Sequence, residues 1–488
     1  MTRKVTPKLY LSILATGLMA FCGVLIETAM NVTFPTLMRQ FNVDTGTIQW
    51  LTTGYLLIVA IIVPISGFLK RRFTTKQLFL TASAFFILGL ALCSVANSFA
   101  ILLVGRLIQG CGTGIALPLM FNIILEQAPL EKIGFLMGIG TLVTAIAPAL
   151  GPTYGGVLVD INWHLIFIFL LFVMIAALIM GLFSIQQVSE TVHLHLDFLA
   201  WLFIAIFFAT AILGLNSIEH QPGRALIFAV IAILSLGAYT MRSLHVKEPL
   251  INLRLFKNLP FDLHMTTFLI IQIVNVGFAF VLPNYLQLVN HTSSLTAGLL
   301  LLPGAALGAC MAPMSGKLYD KLGPGRPIFI GLCLQLIGIV WLLLEALTAA
   351  PVIVLIGYAF IMLGTGFSMG NIMTSGQAQL HQEQTTDGNA IFNTLQQFAG
   401  ALGTAVVSLI MALAQAGSTS AHNTAIGSQH AFGFLLLLTL VGDVAIFFGL
   451  RRRRGETKKC VESLLNTRPN VKRIALSSSA ILFQYIQV

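Results

Sequence analysis

Little of this chain is charged. Of its 488 residues, 27 are Lys or Arg and 17 are Asp or Glu, 9% in all, against 57% hydrophobic. Soluble domains carry about 25% charge, so the composition excludes an ordinary soluble protein and points to the bilayer. The long apolar runs do not alternate in polarity, which excludes a β-barrel and leaves spanning helices of about 20 residues. Cysteine is sparse too. Cys22, Cys93, Cys111, Cys310, Cys333 and Cys460 are scattered, five of them in apolar runs, with no CxxC or similar spacing. No disulfide and no metal site is expected. The HLH of residues 193–195 lacks a third ligand and reads as a polar loop. No GxxxxGK[ST] phosphate loop occurs, which argues against an ATP-driven pump unless a partner supplies the ATPase. The N-terminal MTRKVTPKLY is basic, then apolar. No small-residue cleavage signature follows, and the first apolar run is too long for a signal peptide, so it is expected to be retained.

What is present is a series of apolar segments. They predict fourteen helices at 9–36, 48–69, 77–96, 99–124, 133–158, 163–184, 197–215, 224–241, 261–289, 296–318, 326–346, 350–373, 390–416 and 432–450. With the N-terminus placed in the cytoplasm, 24 Lys and Arg fall in inward loops and tails, Arg39 and Arg224 fall outside, and Arg106 lies within a helix. That bias supports a multi-pass cell-membrane protein with both termini cytoplasmic. It also explains the net charge of +10 as a topology signal rather than a nucleic-acid surface. The basic tail after Arg454 reads as mostly disordered.

An internal repeat is visible. GFLKRRFTTK (67–76) and GKLYDKLGPGR (316–326) each leave a helix at a Gly and carry clustered charge into the next helix. LMGIGTLVTAIAPALG (136–151) and FNTLQQFAGALGTA (392–405) are both studded with small residues, which let helices approach closely in lipid. Gly67 and Gly316 are 249 residues apart, whereas six helices with short loops need only about 160–190. The excess fits two helices inserted between paired halves. The expected architecture is therefore all-α, 6 + 2 + 6: a six-helix bundle over 1–190, an insert and linker over 191–258, a second bundle over 259–454 and a tail over 455–488. The halves are expected to be related by a pseudo-twofold axis, with the site between them.

Several stretches together resemble the major facilitator superfamily, and its fourteen-helix drug:proton antiporters in particular. The resemblance covers most of residues 10–450. GKLYDKLGPGR is similar to the family's loop motif, LLVGRLIQGCGTG (102–114) to its fourth-helix motif, and GIGTLVTAIAPALGPTYGG (138–156) to the fifth-helix motif of antiporters. LPNYLQLVNHTSSLTAGLLLLPGA (282–305) and GNAIFNTLQQFAGALGTA (388–405) are also family-like, and ETAMNVTFP (27–35) resembles the first-helix motif. There are departures. Glu27 stands where Asp is usual, Arg71 and Thr74 replace the expected Asp and Gly, and His164 takes the place of a frequent Arg.

An ionisable side chain at membrane depth costs about 2.5 kcal/mol or more and marks a functional site by default. An acid out of water holds its proton more readily than one in water. Glu27 is therefore expected to carry protons and meet cations in a central cavity; the alternative is a permanently protonated group bonded between helices. Asn31, one turn on, lines the same face or makes an interhelical bond. The resemblance implies that Arg106 tunes proton release, with Gln109 sharing its role; a clamp on backbone carbonyls is the alternative. Gly138, Gly140, Pro148, Gly151, Pro152, Gly155 and Gly156 suggest a kinked hinge or seal, which the resemblance ties to antiport, or else ordinary small-residue packing. Gly67, Arg72, Gly316, Asp320 and Arg326 suit a cytoplasmic latch, or act as topology signals only. Asp443 and Glu345 read as snorkelling groups near helix ends, Asp443 being the second candidate for a proton site. The resemblance implies a proton-coupled antiporter that exports amphipathic, cationic drugs by alternating access. It would be no enzyme and need no cofactor. Its partners would be protons, a small-molecule substrate and the bilayer, with no nucleic acid, and it is taken as monomeric. An importer of a nutrient on the same fold is the alternative. A sensor or scaffold is opposed by the lack of a soluble signalling domain.

Overall fold

The computed structural model describes residues 6–467 apart from positions 44, 49, 160, 193–194, 219–220, 247–248 and 416–420, and gives no side-chain description at 35, 45, 46, 149, 152, 216, 294, 295 and 452–467. Among the described residues there are no strands, and fourteen helices are long and apolar enough to cross a membrane. We number them α1 (Pro7–Phe41), α2 (Trp50–Arg72), α3 (Thr75–Ser94), α4 (Phe99–Gln127), α5 (Ile133–Val159), α6 (His164–Ser184), α7 (Phe198–Ser217), α8 (Pro222–His245), α9 (Leu259–Leu288), α10 (Ser294–Leu322), α11 (Gly325–Glu345), α12 (Pro351–Gln377), α13 (Thr385–Gln415) and α14 (Ala421–Thr467). Polar side chains start many of them by accepting the orphan N–H groups of the first turn: Thr6 for α1, Ser98 for α4, Asn258 for α9 and Ser293 for α10.

The boundaries differ from expectation where polar residues are folded inside a helix. α14 begins at Ala421 rather than 432, because Thr424 and Ser428 are fully buried and bonded: Gln415 donates to Thr424 Oγ1 (2.9 Å) and Ser428 to the Thr424 carbonyl (2.8 Å). α13 begins at Thr385 rather than 390 and takes Asp387 into its first turn. α2 is not one continuous α-helix. Pro64 lacks the N–H that would continue the ladder, and the chain winds as a 3-10 turn over Val63–Ile65. There the Trp201 indole of α7 donates to the Ile61 carbonyl (3.2 Å). The tail, expected to be disordered from 455, continues α14 as far as the described residues reach, to Thr467. The remaining tail residues, 468–488, lie outside the described residues, as does His193 of the HLH loop.

The two six-helix groups pack by the same plan. In the first, α1 packs on α4, α5 and α6, α2 on α4, and α3 on α4 and α6; in the second, α9 packs on α12, α13 and α14, α10 on α12, and α11 on α12 and α14. The glycine register repeats too. Gly105 and Gly112 lie six and thirteen residues after the start of α4, and Gly357 and Gly364 hold the same positions in α12. Each pair meets the preceding helix so closely that a Cβ would stand 2.5–2.7 Å from its atoms. α7 and α8 pack on each other, and α7 lies against α2 and α13.

One end of the bundle, here the basic face, carries the start of α1 and the loops between α2 and α3, α4 and α5, and α10 and α11. The halves join near this face. One continuous core holds Met120 and Ile124 of α4, Met137 of α5, Phe261 and Met265 of α9, Met373 of α12 and Phe392 of α13. Toward the opposite face the second half has a core of its own, around Phe278, Tyr285, Leu342, Tyr358 and Phe432. α5 shows where the halves part. Gly134 and Gly138 touch α10, and Thr141 touches Gly370 of α12, but further along the same stripe Ala145 and Pro148 are exposed. The bundle is sealed at the basic face and open toward the other.

Candidate functional site

Arg106 is fully buried in α4. Its Nε donates to the Leu51 carbonyl (3.2 Å), Nη1 donates to Gln109 Oε1 (2.8 Å), and the guanidinium carbon sits 4.1 Å over the Tyr55 ring. Nη2 has no hydrogen-bond partner among the described residues, nor has Nε2 of the fully buried Gln109. The Tyr55 hydroxyl donates to the Gly23 carbonyl (2.8 Å) and lies 2.8 Å from Thr113 Oγ1, tying α2 to α1 and α4. Glu27, half-buried on α1, lies in the electrostatic field of Arg106 without a direct ion pair to the guanidinium. Asn31, one turn further, is exposed, and its Oδ1 accepts from Thr52 (3.1 Å). Arg106 thus clamps a backbone carbonyl, as one of its two expected readings has it. A carboxylate beside a fixed cation has two stable states, neutral with a proton or charged and balanced by the guanidinium.

The glycines of α5 serve three neighbours. Gly138 meets α10, where a Cβ would stand 2.4 Å from the Ala312 carbonyl oxygen, and Gly140 meets Phe121 of α4. Gly151 and Gly155 meet α1, at Thr28 and at the Ala29 carbonyl, while a Cβ on Gly156 would find nothing nearer than Val32, at 3.9 Å. Pro148 is exposed, and the Pro152 side chain lies outside the described residues. Both prolines lie inside the helix, which runs from Ile133 to Val159.

At the basic face the two loop copies are built differently, and the departures of the first copy have physical reasons. In the second copy Asp320 reaches across to the other half: Oδ1 accepts from the Gly134 N–H (2.8 Å) and Oδ2 from the Phe135 N–H (2.9 Å), capping the start of α5. Gly316 abuts Gly134, and Gly323 ends α10 at φ 76°, a left-handed conformation suited to glycine. Arg326 is exposed. In the first copy the charges are exchanged. The loop residue is Arg71, and the carboxylate, Asp387, sits in the first turn of α13, 3.5 Å from the Arg71 guanidinium. A Cβ on Gly67 would stand 3.1 Å from Asp387 Oδ1. Thr74, in place of glycine, is extended and starts α3 with a capping box shared with Gln77. Arg72 is half-buried. Nearby, buried Lys70 pairs with Glu126 (2.9 Å) and donates to Ser189 of the α6–α7 linker (2.9 Å). Asn389 of α13 joins the halves by donating to the Pro118 carbonyl (3.0 Å) and Asn122 Oδ1 (2.8 Å) of α4.

Sequence reasoning missed Tyr55, Thr113, Asp387 and the Asn122–Asn389 pair. Only Asp387 left a signal, as the acid in TTDGN at a helix start. The second half has no counterpart of the charged pair. Counted from their helix starts, the positions of Glu27 and Arg106 are held by Ala279 in α9 and Tyr358 in α12.

Two membrane-spanning six-helix groups that repeat one packing plan define a transporter fold. The chain belongs to the Major Facilitator Superfamily, whose family model matches residues 16–404. Lincomycin resistance protein LmrB of Bacillus subtilis (strain 168) is 37% identical over 463 residues, 91% of this chain and 96% of that protein. A multidrug resistance protein B homolog of Mycobacterium tuberculosis is 28% identical, with 79% of this chain and 73% of its own length covered. The same fold occurs in the human organic anion transporter MFSD10 (TM-score 0.64, 14% identity, 91% of this chain and 100% of that one). It occurs again in the proton:xylose symporter XylE (TM-score 0.63, 14% identity, 90% and 94%). These relatives support a role in drug export by a transporter rather than an enzyme.

Proposed function

We propose that the protein is a proton-coupled exporter of amphipathic, cationic compounds, working by alternating access in the cell membrane. The observation that carries this reading is the half-buried Glu27 in the field of the buried Arg106, an acid and a cation with no counterpart at the matching positions of the second half. The Lys and Arg bias supports assigning the basic face, and with it both termini, to the cytoplasm. The sealed face is then the inner one, and the structure is an outward-open state. In that state Glu27 gives up a cationic substrate and takes a proton from outside. With the charge on Glu27 neutralised, the chain turns inward, releases the proton and takes a new cation. Asn31 and Gln109 line the cavity. Gly138, Pro148, Gly151, Pro152, Gly155 and Gly156 form the packed element that must slip. Gly67, Arg72, Gly316, Asp320 and Arg326, with Arg71 and Asp387 added, form the inner latch.

The test uses inverted vesicles loaded with a pH dye and exposed to lincomycin and to lipophilic cations. Addition of substrate should release protons in the wild type and not in Glu27→Gln. Full proton-coupled transport by Glu27→Gln, or substrate movement in the same direction as protons, would overturn the assignment.

A further inference from the structure

We propose that Gln272 and Asn275 of α9 and Gln396 of α13 form a substrate subsite for hydroxyl and amide groups, facing the charged site across the cavity. The proposal rests on the exporter reading above and adds the chemistry that the second half reads. Polar side chains at membrane depth face the protein interior or a wet cavity. Six amides of this half differ in how they are held. Near the sealed face Asn371, Asn389 and Asn393 are buried and bonded at 2.8–3.0 Å. They hold helices together. Gln272, Asn275 and Gln396 are half-buried instead. Gln396 reaches Gln272 Oε1 only at 3.5 Å, and Asn275 Nδ2 has only the Met369 sulfur, at 4.0 Å. Gln272 Nε2, Gln396 Oε1 and Asn275 Nδ2 thus keep strong donors and acceptors that the protein leaves largely unused.

Their position fits a cavity floor. Gln396 is one turn beyond Asn393 on α13, and Met369, next to Asn275, adjoins Gly370, the last described point where α5 touches α12. Thr365 of α12 fixes Asn275 by donating to its Oδ1 (2.7 Å). The repeat gives these positions meaning. Asn275 and Thr365 stand sixteen and fourteen residues into α9 and α12, where the first half has Gly23 and Thr113, one turn from Glu27. The first half presents charge, and the second presents neutral hydrogen bonding. A substrate would be held by its cationic nitrogen on one side and its neutral polar groups on the other.

The test is selectivity. Two probes are transported by wild-type and Gln272→Ala/Gln396→Ala proteoliposomes: tetraphenylphosphonium, a cation with no hydrogen-bonding group, and doxorubicin, a cationic amine carrying hydroxyls. The ratio of the doxorubicin KM to the tetraphenylphosphonium KM should rise about tenfold, as the loss of neutral hydrogen bonds implies. The same ratio is read by equilibrium binding to purified Gln272→Leu, which keeps similar volume. An unchanged ratio in both, or equal weakening for both probes, overturns the subsite while leaving the exporter reading intact. A wild type that moves neither probe, and so matches Glu27→Gln, overturns both.

Discussion

The seam between α5 and α10 offers a perturbation that acts on one conformational state only. A Cβ on Gly138 would stand 2.4 Å from the Ala312 carbonyl oxygen and 2.8 Å from Pro313 Cα; one on Gly316 would stand 2.2 Å from the Gly134 carbonyl oxygen. All three obstacles are backbone, so no side chain can turn away. Restoring ordinary contact at about 3.4 Å requires the helices to separate by about 1 Å. Overpacking of this kind costs about 1–3 kcal/mol. The strain exists only while the halves are sealed, so Gly138→Ala and Gly316→Ala shift the population toward the inward-open state, by roughly 5- to 150-fold. Gly151→Ala provides the contrast. Its Cβ would strike Thr28 and the Leu25 carbonyl within the same half, so the strain is present in both states and lowers Tm without moving the balance. Gly156→Ala should be silent, since nothing lies within 3.9 Å. The assay is labelling by a membrane-impermeant maleimide at Ala145→Cys, above the seal, with the exposed Cys310 replaced by Ser. Labelling should slow for Gly138→Ala and Gly316→Ala and stay unchanged for Gly151→Ala. Equal effects from Gly138→Ala and Gly151→Ala would refute the reasoning.

Three further outcomes follow from the basic face. Arg71→Asp should place like charges beside Asp387 and impair transport, and the exchange Arg71→Asp/Asp387→Arg should recover much of it; a double-mutant cycle on transport rate checks this, and additive losses would break the pairing. Asp320→Ala removes the cap from α5 and should cost about 0.5–2 kcal/mol, read as a lower Tm together with faster inward opening. Lys70→Met strands the Glu126 carboxylate in a largely buried site and should cost about 3–5 kcal/mol, whereas Lys70→Met/Glu126→Leu should be close to neutral; thermal unfolding of the purified protein distinguishes them.

Much of the fold was legible because spanning helices announce themselves by apolar length, and fourteen such segments were visible. Their ends were less so. α14 and α13 begin in polar turns whose side chains bond inside the protein, and hydropathy sees only the polarity. The 3-10 turn in α2 left Pro64 as its trace, but the Trp201 contact that accompanies it comes from a segment 137 residues further along the chain. Glu27 and Arg106 stood out because charge is costly in lipid. Tyr55 beneath Arg106 did not, since one tyrosine in an apolar run carries no such cost. Arg71 read as a departure from the family pattern. The structure shows an exchange of roles between loop and helix that only the pairing with Asp387 reveals.

The inserted pair α7–α8 is fastened unequally. To the first half it is held by directed bonds: the Trp201 indole on the Ile61 carbonyl, and a linker pinned by Lys70 to Ser189 and by the Val192 N–H to the Arg71 carbonyl (2.9 Å). Against the second half α7 presents aromatic rings, Phe207 and Phe208, 5.8 and 6.1 Å from the ring of Phe398 on α13. Hydrogen bonds hold register, whereas rings slide over one another at little cost. Under the proposed alternating access, the pair should travel with the first half like a sleeve, with the phenylalanines as its bearing surface along α13.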